Sequence, residues 1–284
     1  MNKWKVEPEE TGIKLIPFCK QKLSTRYSLK QIRFAIEHNQ CYVNGKIERF
    51  SSRRIETNDL IELSLLPSIT YNPQNLLYED DYIVAYNKPP FISSENGLNH
   101  LLSRELGPLY LIHRLDRDTT GVILYARSKK SQRAFETLFR NRSIKKEYLC
   151  IAEGIPKQKT GVIRTQVAPI KRINGKIFWG VVMPPKGVLA ITHFEVIKNH
   201  TNVSLLKCIP KTGRTHQIRV HLKSINHPIL GDCDYGSRQD RVPRLQLHAW
   251  TLEFLHPFSN KRCWIETLYP CLKIKNSIAS FSLN

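Results

Sequence analysis

The chain has 284 residues, enough to bury a full core and to leave room for a small second domain beside a large one. Its 41% hydrophobic and 24% charged content is ordinary for a soluble globular protein, and no apolar run approaches the ~20 residues of a membrane-spanning helix. The net charge of +20 is not ordinary: 44 Lys and Arg against 24 Asp and Glu predict a polyanionic partner, held through phosphate contacts and counterion release.

The opening MNKWKVEPEE lacks the apolar stretch of a secretory signal. Cys19, Cys41, Cys150, Cys208, Cys233, Cys263 and Cys271 are scattered, odd in number and without a C-x-x-C pair. They read as reduced thiols of a cytoplasmic protein with no metal site and no disulfide framework. Ser28 and Gln31 make a capping box that opens a helix from Leu29 to about His38, with Leu29, Ile32 and Ile36 on one face and Lys30 and Arg33 off it. In CYVNGKIE, Asn44-Gly45 between apolar residues predicts a hairpin, and RIETNDLIELSL a polar turn and a strand. A helical pair, a V-N-G hairpin and a closing strand after a polar turn resemble an S4-type RNA-binding domain, with Asn58 where that family usually has Gly. The resemblance implies a small α/β module over residues 12–66, with Lys22, Arg26, Lys30, Arg33, Arg53 and Arg54 on RNA phosphates. A solvated basic face without a ligand is the alternative. The first 66 residues carry twelve Lys and Arg against eight Asp and Glu, so most of the positive charge lies further on. Residues 67–75, with two prolines in PSITYNPQ, suit a linker.

From Leu76 the segments IVAYN, GVILYAR, EYLCIAE, THFEVI and SLLKCIP read as strands, and Gln132 to Phe139 as a helix with Phe135, Leu138 and Phe139 inward. Few long crossovers separate them. The expected fold over residues 76–275 is therefore α+β, a mixed, largely antiparallel sheet with flanking helices.

Three polar segments carry the candidate chemistry. His113 to Gly121 sets Asp116 and Asp118 among Arg114, Arg117 and His113 at the mouth of a very apolar strand, which marks either a site or a surface turn with local ion pairs. Arg127 to Glu147 holds eight basic residues and two acidic ones around a helix with an apolar face, a natural surface for a nucleic-acid backbone. It leads into Tyr148, which is either a cleft wall or core. Lys211 to Leu222 offers a run of donors after Gly213, suited to an anionic ligand or a partner carboxylate, while His216 and His221 lack metalloprotease spacing.

Together these segments resemble the RluA family of pseudouridine synthases. H-R-L-D-x-x-T-[ST]-G is present, with Thr120 where Ser is commoner; K-x-Y is Lys146-Glu147-Tyr148; G-R-T-H-Q-I-R is intact; and H-P-I-L-G-D-x-x-Y-G runs from His227 to Gly236. The approach LLYEDDYIVAYNKPP, with its N-K-P turn, is also similar. The resemblance implies an isomerase without cofactor or metal, whose essential carboxylate is Asp116, salt-bridged to Arg219. Asp116 would act as a nucleophile at C1′ or at the base, or as the base of a glycal route. Asp118 would support the loop. Tyr148 would stack on an extruded uracil with Ile218 nearby, and Arg114 would enter the gap left in the RNA. His113, Arg214, His216 and Gln217 would face the substrate, and Lys129, Lys130 and Arg133 the RNA backbone. Large-subunit ribosomal RNA is the favoured substrate and transfer RNA the alternative, with no membrane or protein partner and a monomer as the default. A non-catalytic ribosome assembly factor and a glycosylase are the rival readings.

Overall fold

The computed structural model describes every residue except 25–26, 38–39, 66–68, 174–175, 238–241, 243 and 270–284. Contacts divide the chain into one unit of Met1–Ile69 with Gln239–Arg244 and a second of Thr70–Arg238 with Leu245–Asn284.

In the first unit, β1 (Asn2–Lys5), α1 (Leu15–Leu23), α2 (Leu29–Glu37), β2 (Cys41–Val43), β3 (Lys46–Ile47) and β4 (Leu60–Leu63) give an antiparallel sheet of order β1-β4-β2-β3. The capping box forms: the Ser28 N–H donates to Gln31 Oε1 at 2.9 Å and the Gln31 N–H to Ser28 Oγ at 3.2 Å. Helix α2 buries Ile32, Ala35 and Ile36, whereas Leu29, at its first position, is exposed rather than inward. Asn44 (φ 53°) and Gly45 (φ 76°) both adopt the left-handed conformation that a tight two-residue hairpin demands. The Asn44 amide donates to Asp59 at 2.7 Å and its oxygen accepts from the Leu60 N–H at 2.8 Å, tying hairpin to closing strand. Asn58 is also left-handed (φ 70°), the conformation glycine provides most easily.

The second unit contains β5 (Leu76–Glu79), β6 (Ile83–Lys88), α3 (His100–Leu106), β7 (Tyr110–Leu111), β8 (Thr120–Ala126), α4 (Lys129–Arg140), β9 (Lys145–Glu153), β10 (Thr160–Ile173), β11 (Lys176–Val182), β12 (Val188–His200), β13 (Val203–Pro210), α5 (Gln217–Ser224), β14 (Leu247–Leu255) and β15 (Arg262–Glu266). They make an eleven-stranded sheet of order β11-β10-β12-β13-β9-β14-β8-β6-β5, with β15 on β14 and β7 on β8. This is the expected mixed, largely antiparallel α+β arrangement. Strand β8 explains its unbroken apolar sequence. Val122 and Leu124 pack with Phe135 of α4 on one face, and Ile123 and Tyr125 pack with Leu102 of α3 on the other.

The exception to antiparallel pairing joins the two halves of this sheet. Strands β8 and β14 run parallel and pair only at Thr120↔His248 and Gly121↔Ala249. Gly121 has φ 108°, and a Cβ there would collide with the Ala249 carbonyl, so the close approach requires glycine. The Thr120 hydroxyl lies 2.7 Å from His248 Nδ1 across the same seam. No helix among the described residues is long and apolar enough to cross a membrane.

Candidate active site

Asp116 lies in the loop between β7 and β8, and that loop is held from beneath. Lys88, at the end of β6, is completely buried, and its ammonium donates to the carbonyls of Pro89, Arg117 and Thr119 at 3.0, 2.8 and 2.8 Å. Three protons meet three acceptors, which is the condition for burying an ammonium. Burial pulls the Lys88 amine down to about 7, against the opposing pull of Asp118 and Asp116. The buried Ser94 hydroxyl donates to the Leu115 carbonyl at 2.9 Å and accepts the Leu115 N–H at 3.1 Å. The loop is thus fixed on both sides of Asp116, whose side chain remains 21% exposed. Asp118 pairs with Arg117 at 3.4 Å and stays within the loop.

The G-R-T-H-Q-I-R segment forms the turn into α5. His216 caps the helix in a left-handed conformation (φ 55°). Gln217, expected to face substrate, is instead the brace of this turn. Its oxygen accepts from the Thr212 hydroxyl at 2.6 Å and the Arg214 N–H at 3.0 Å. Its amide donates to the Ile191 carbonyl and the Thr192 hydroxyl at 2.9 Å each. All its hydrogen-bonding capacity is used inside the protein.

Arg219 follows one helical turn after His216. Nε and Nη2 grip the Asp232 carboxylate at 2.8 and 2.9 Å, and Nη2 also reaches Asp234 at 2.9 Å. Only Nη1 is left for Asp116, at 3.5 Å. The expected Asp116–Arg219 pair is therefore present but long, because the rest of the fork is engaged behind it. Burial opposes the Arg219 charge; Asp232, Asp116 and Asp234 outweigh it and raise the guanidinium well above its ordinary value. The guanidinium also sits 4.8 Å from the Tyr235 ring centre. Asp232 and Asp234 belong to a motif that is visible in the sequence, yet nothing in it pairs them with Arg219, 13 and 15 residues away. His216 Nε2 lies 3.8 Å from the same Asp116 oxygen, and its Nδ1 is 2.6 Å from the Tyr235 hydroxyl. Burial lowers the His216 imidazole, with Asp116 pulling the other way.

A cavity of about 890 Å³ opens over Asp116. Tyr148 from β9 and Ile218 from α5 supply apolar wall, and both join the hydrophobic cluster around Leu222 and Leu247. Burial and the Asp116 charge raise the Tyr148 phenol well above its ordinary value, so it is a neutral ring at physiological pH. Arg114 and Arg214 are exposed on the cavity lining, the latter bonded through Nε to the Leu189 carbonyl at 3.1 Å. His113 also lines it, but its ring stacks on Phe139 at 4.4 Å and its Nε2 accepts the Leu124 N–H at 3.0 Å. Burial and the Lys146 charge lower His113 to about 3, which keeps it a neutral acceptor.

The expected backbone contacts are more dispersed. On α4, Arg133 is exposed, while the Lys129 and Lys130 ammoniums lie over the Tyr110 and Phe258 rings at 4.5 and 5.8 Å. In the N-terminal unit Lys30 and Arg33 are exposed, but Lys22 is paired with Glu10 at 2.7 Å, Arg53 with Glu48 at 3.0 Å, and Arg54 donates to the Gly12 carbonyl at 2.7 Å. Arg26 lies outside the described residues.

Asp116, Tyr148 and Arg219 thus line one cavity, with the exposed cations Arg114 and Arg214 also on its lining. The RNA pseudouridylate synthase family profile matches residues 82–224, from β6 to the end of α5. The chain belongs to this family. The synthase is 36% identical over 228 residues to the ribosomal large subunit pseudouridine synthase C of Buchnera aphidicola subsp. Baizongia pistaciae, covering 74% of this chain and 71% of that one. It is 31% identical to the ribosomal large subunit pseudouridine synthase D of Haemophilus influenzae, covering 90% and 87%. In fold it resembles human RNA pseudouridylate synthase domain containing 1, with a TM-score of 0.63 at 24% identity over 70% of this chain and 84% of that one. The synthase is thus an RNA-modifying isomerase, in keeping with the resemblance carried by its motifs.

Proposed function

We propose that the synthase converts uridines of large-subunit ribosomal RNA to pseudouridine, with Asp116 as the essential carboxylate. The observation that carries this reading is the setting of Asp116: anchored from below by Lys88, facing Arg219 Nη1, and open to a cavity of about 890 Å³ lined by Tyr148 and Ile218. The reaction breaks the C1′–N1 bond and forms a C1′–C5 bond; C5 gives up a proton and N1 gains one. No group enters or leaves, so the demands are orientation and a carboxylate. Arg219 Nη1 faces the Asp116 carboxylate at 3.5 Å and balances its charge in the cavity. Tyr148 offers its face to the extruded uracil, and Arg114 is placed at the rim to fill the gap in the RNA, which offsets part of an extrusion cost of a few kcal/mol. Arg214 and His216 stand on the substrate side; Lys129, Lys130 and Arg133 extend the basic surface along α4.

The N-terminal unit is proposed as an S4-like RNA-binding module over residues 12–66, joined by a linker at 67–75 to a catalytic domain at 76–275. Supporting it are the capped helix α2, the left-handed Asn44-Gly45 hairpin and the exposed Lys30 and Arg33. The names of the relatives in Buchnera and Haemophilus favour ribosomal over transfer RNA.

The test is tritium release from transcripts labelled at uridine C5, with ribosomal and transfer RNA assayed separately. Release by the wild type and none by Asp116→Asn is expected with ribosomal RNA. Turnover retained in Asp116→Asn would remove the central claim, and release from transfer RNA alone would reassign the substrate.

A further inference from the structure

Helix α4 ends in a Schellman turn: the Arg142 N–H bonds the Phe139 carbonyl at 3.2 Å and the Ser143 N–H bonds the Leu138 carbonyl at 2.9 Å. The residue at the turn is left-handed, a place that favours glycine, yet it is Arg142, with φ 60°. A long cationic side chain kept in a strained conformation on a cavity wall points to a role for its direction.

Four residues later Lys146 emerges from β9. Strand alternation puts it on the face of Tyr148 and sends Lys145 and Glu147 the other way, where Lys145 pairs with Glu147 at 2.9 Å and Glu253 at 3.7 Å. Two acids of this neighbourhood, Glu147 and Glu253, are thus engaged with Lys145. Lys146 Nζ lies 3.8 Å from where a Gly213 side chain would begin, on the wall that also carries Arg142 and Lys211. Among the described residues neither Arg142 nor Lys146 has a carboxylate within 4.0 Å. Burial and the Arg142 charge pull the Lys146 amine below its ordinary value. Two like charges on a half-buried wall repel one another, and the chemistry that relieves them is an oxyanion reached by a fork and a point charge together.

We propose that Arg142 and Lys146 form a phosphate subsite that grips one backbone phosphate beside the extruded uridine. This rests on the RNA-isomerase reading and adds to it a residue pair that fixes the register of the strand entering the cavity.

Two measurements without turnover test it, on the full chain and the variants Lys146→Met, Arg142→Asn and, as a control, Lys198→Gln on exposed β12. The first is the thermal midpoint in chloride and in inorganic phosphate at equal ionic strength. Phosphate raises the wild-type midpoint and leaves that of Lys146→Met unmoved, while in chloride Lys146→Met melts above the wild type because the repulsion is gone. The second is binding of heptauridylate over a salt series. Each subsite substitution weakens binding roughly five- to tenfold and flattens the salt slope by about 0.7, and Lys198→Gln changes neither. Salt slopes unchanged in both subsite variants overturn the proposal, as does a Lys146→Met protein that melts below the wild type and still responds to phosphate. A normal subsite in an enzyme that releases no tritium would sink the isomerase reading alone; tritium release with an unresponsive subsite would sink this inference alone.

Discussion

Arg219 and Asp232 form a two-point clamp that solvent barely reaches, with side chains 6% and 1% exposed, and Asp116 meets only the nitrogen that the clamp leaves over. The cation that faces Asp116 is thereby fixed in place by the protein itself, and a reaction that used this carboxylate would need no reorganisation of it.

Asp232→Ala should therefore lower stability by about 3 kcal/mol, the scale of a broken buried pair, measured by urea unfolding. Asp232→Asn keeps an acceptor and should lose less. Both should reduce kcat more than RNA affinity. A fully stable Asp232→Ala protein with normal kcat would show that the clamp has no part in either.

Lys88 gives a pH signature. Its folded amine titrates at about 7 against an ordinary 10.5. Between those values the unfolded chain holds a proton that the folded protein has released, so stability should rise with pH from about 7 upward, by at most about 1.4 kcal/mol per unit. Lys88→Met should abolish that rise and, by freeing the Asp116 loop, depress kcat. Urea midpoints from pH 7 to 9.5 for both proteins decide it.

On the acid side the sign is the same. His113 and His221 are lowered from 6.5 to about 3 and about 4, His221 by burial, with its Nδ1 2.8 Å from the Thr192 hydroxyl. Below pH 6.5 the unfolded chain takes up protons that the folded protein refuses, so stability should fall as pH drops toward 4, with a slope of at most about 2.7 kcal/mol per unit for two protons. His221→Gln should halve the slope. A flat profile between pH 6.5 and 4.5 would contradict the neutral assignments.

Tyr148 should reveal stacking by what replaces it. In an Asp116→Asn background, Tyr148→Phe should bind RNA as well as its parent, and Tyr148→Ala should lose about 1–3 kcal/mol. Equal affinity for all three would leave Tyr148 as wall rather than platform.

The site was legible where chemistry follows local spacing. The i, i+2 spacing of Lys146 and Tyr148 puts both on one face of a strand, the Ser28–Gln31 box caps its helix, and Asn44-Gly45 makes its turn because short-range geometry decides each. Asp116, Tyr148 and Arg219 were legible only through motif resemblance, and they do meet at one cavity. What could not be read was partnership at a distance. Lys88 looked like part of a turn and proved to be a buried cation under a loop some thirty residues on, 2.8 Å from the Arg117 carbonyl. Gln217 looked like a donor for substrate, because side-chain type says nothing of which acceptors the fold has already brought near it. The parallel contact of β8 with β14 leaves no trace either, since it spans only two residue pairs and neither strand's sequence marks its direction.

That seam bears on the geometry of the cavity. Asp116 enters the cavity from the half of the sheet ending in β8, whereas Tyr148 and Arg219 come from the half beginning with β14. The group of Asp116, Tyr148 and Arg219 is assembled like two jaws on a pivot two residues wide. A methyl group at Gly121, pressed on the Ala249 carbonyl, would part the jaws and lengthen the 3.5 Å gap between Asp116 and Arg219 without altering any residue that touches RNA. The smallest residue of the H-R-L-D segment thus governs the alignment of the largest charges.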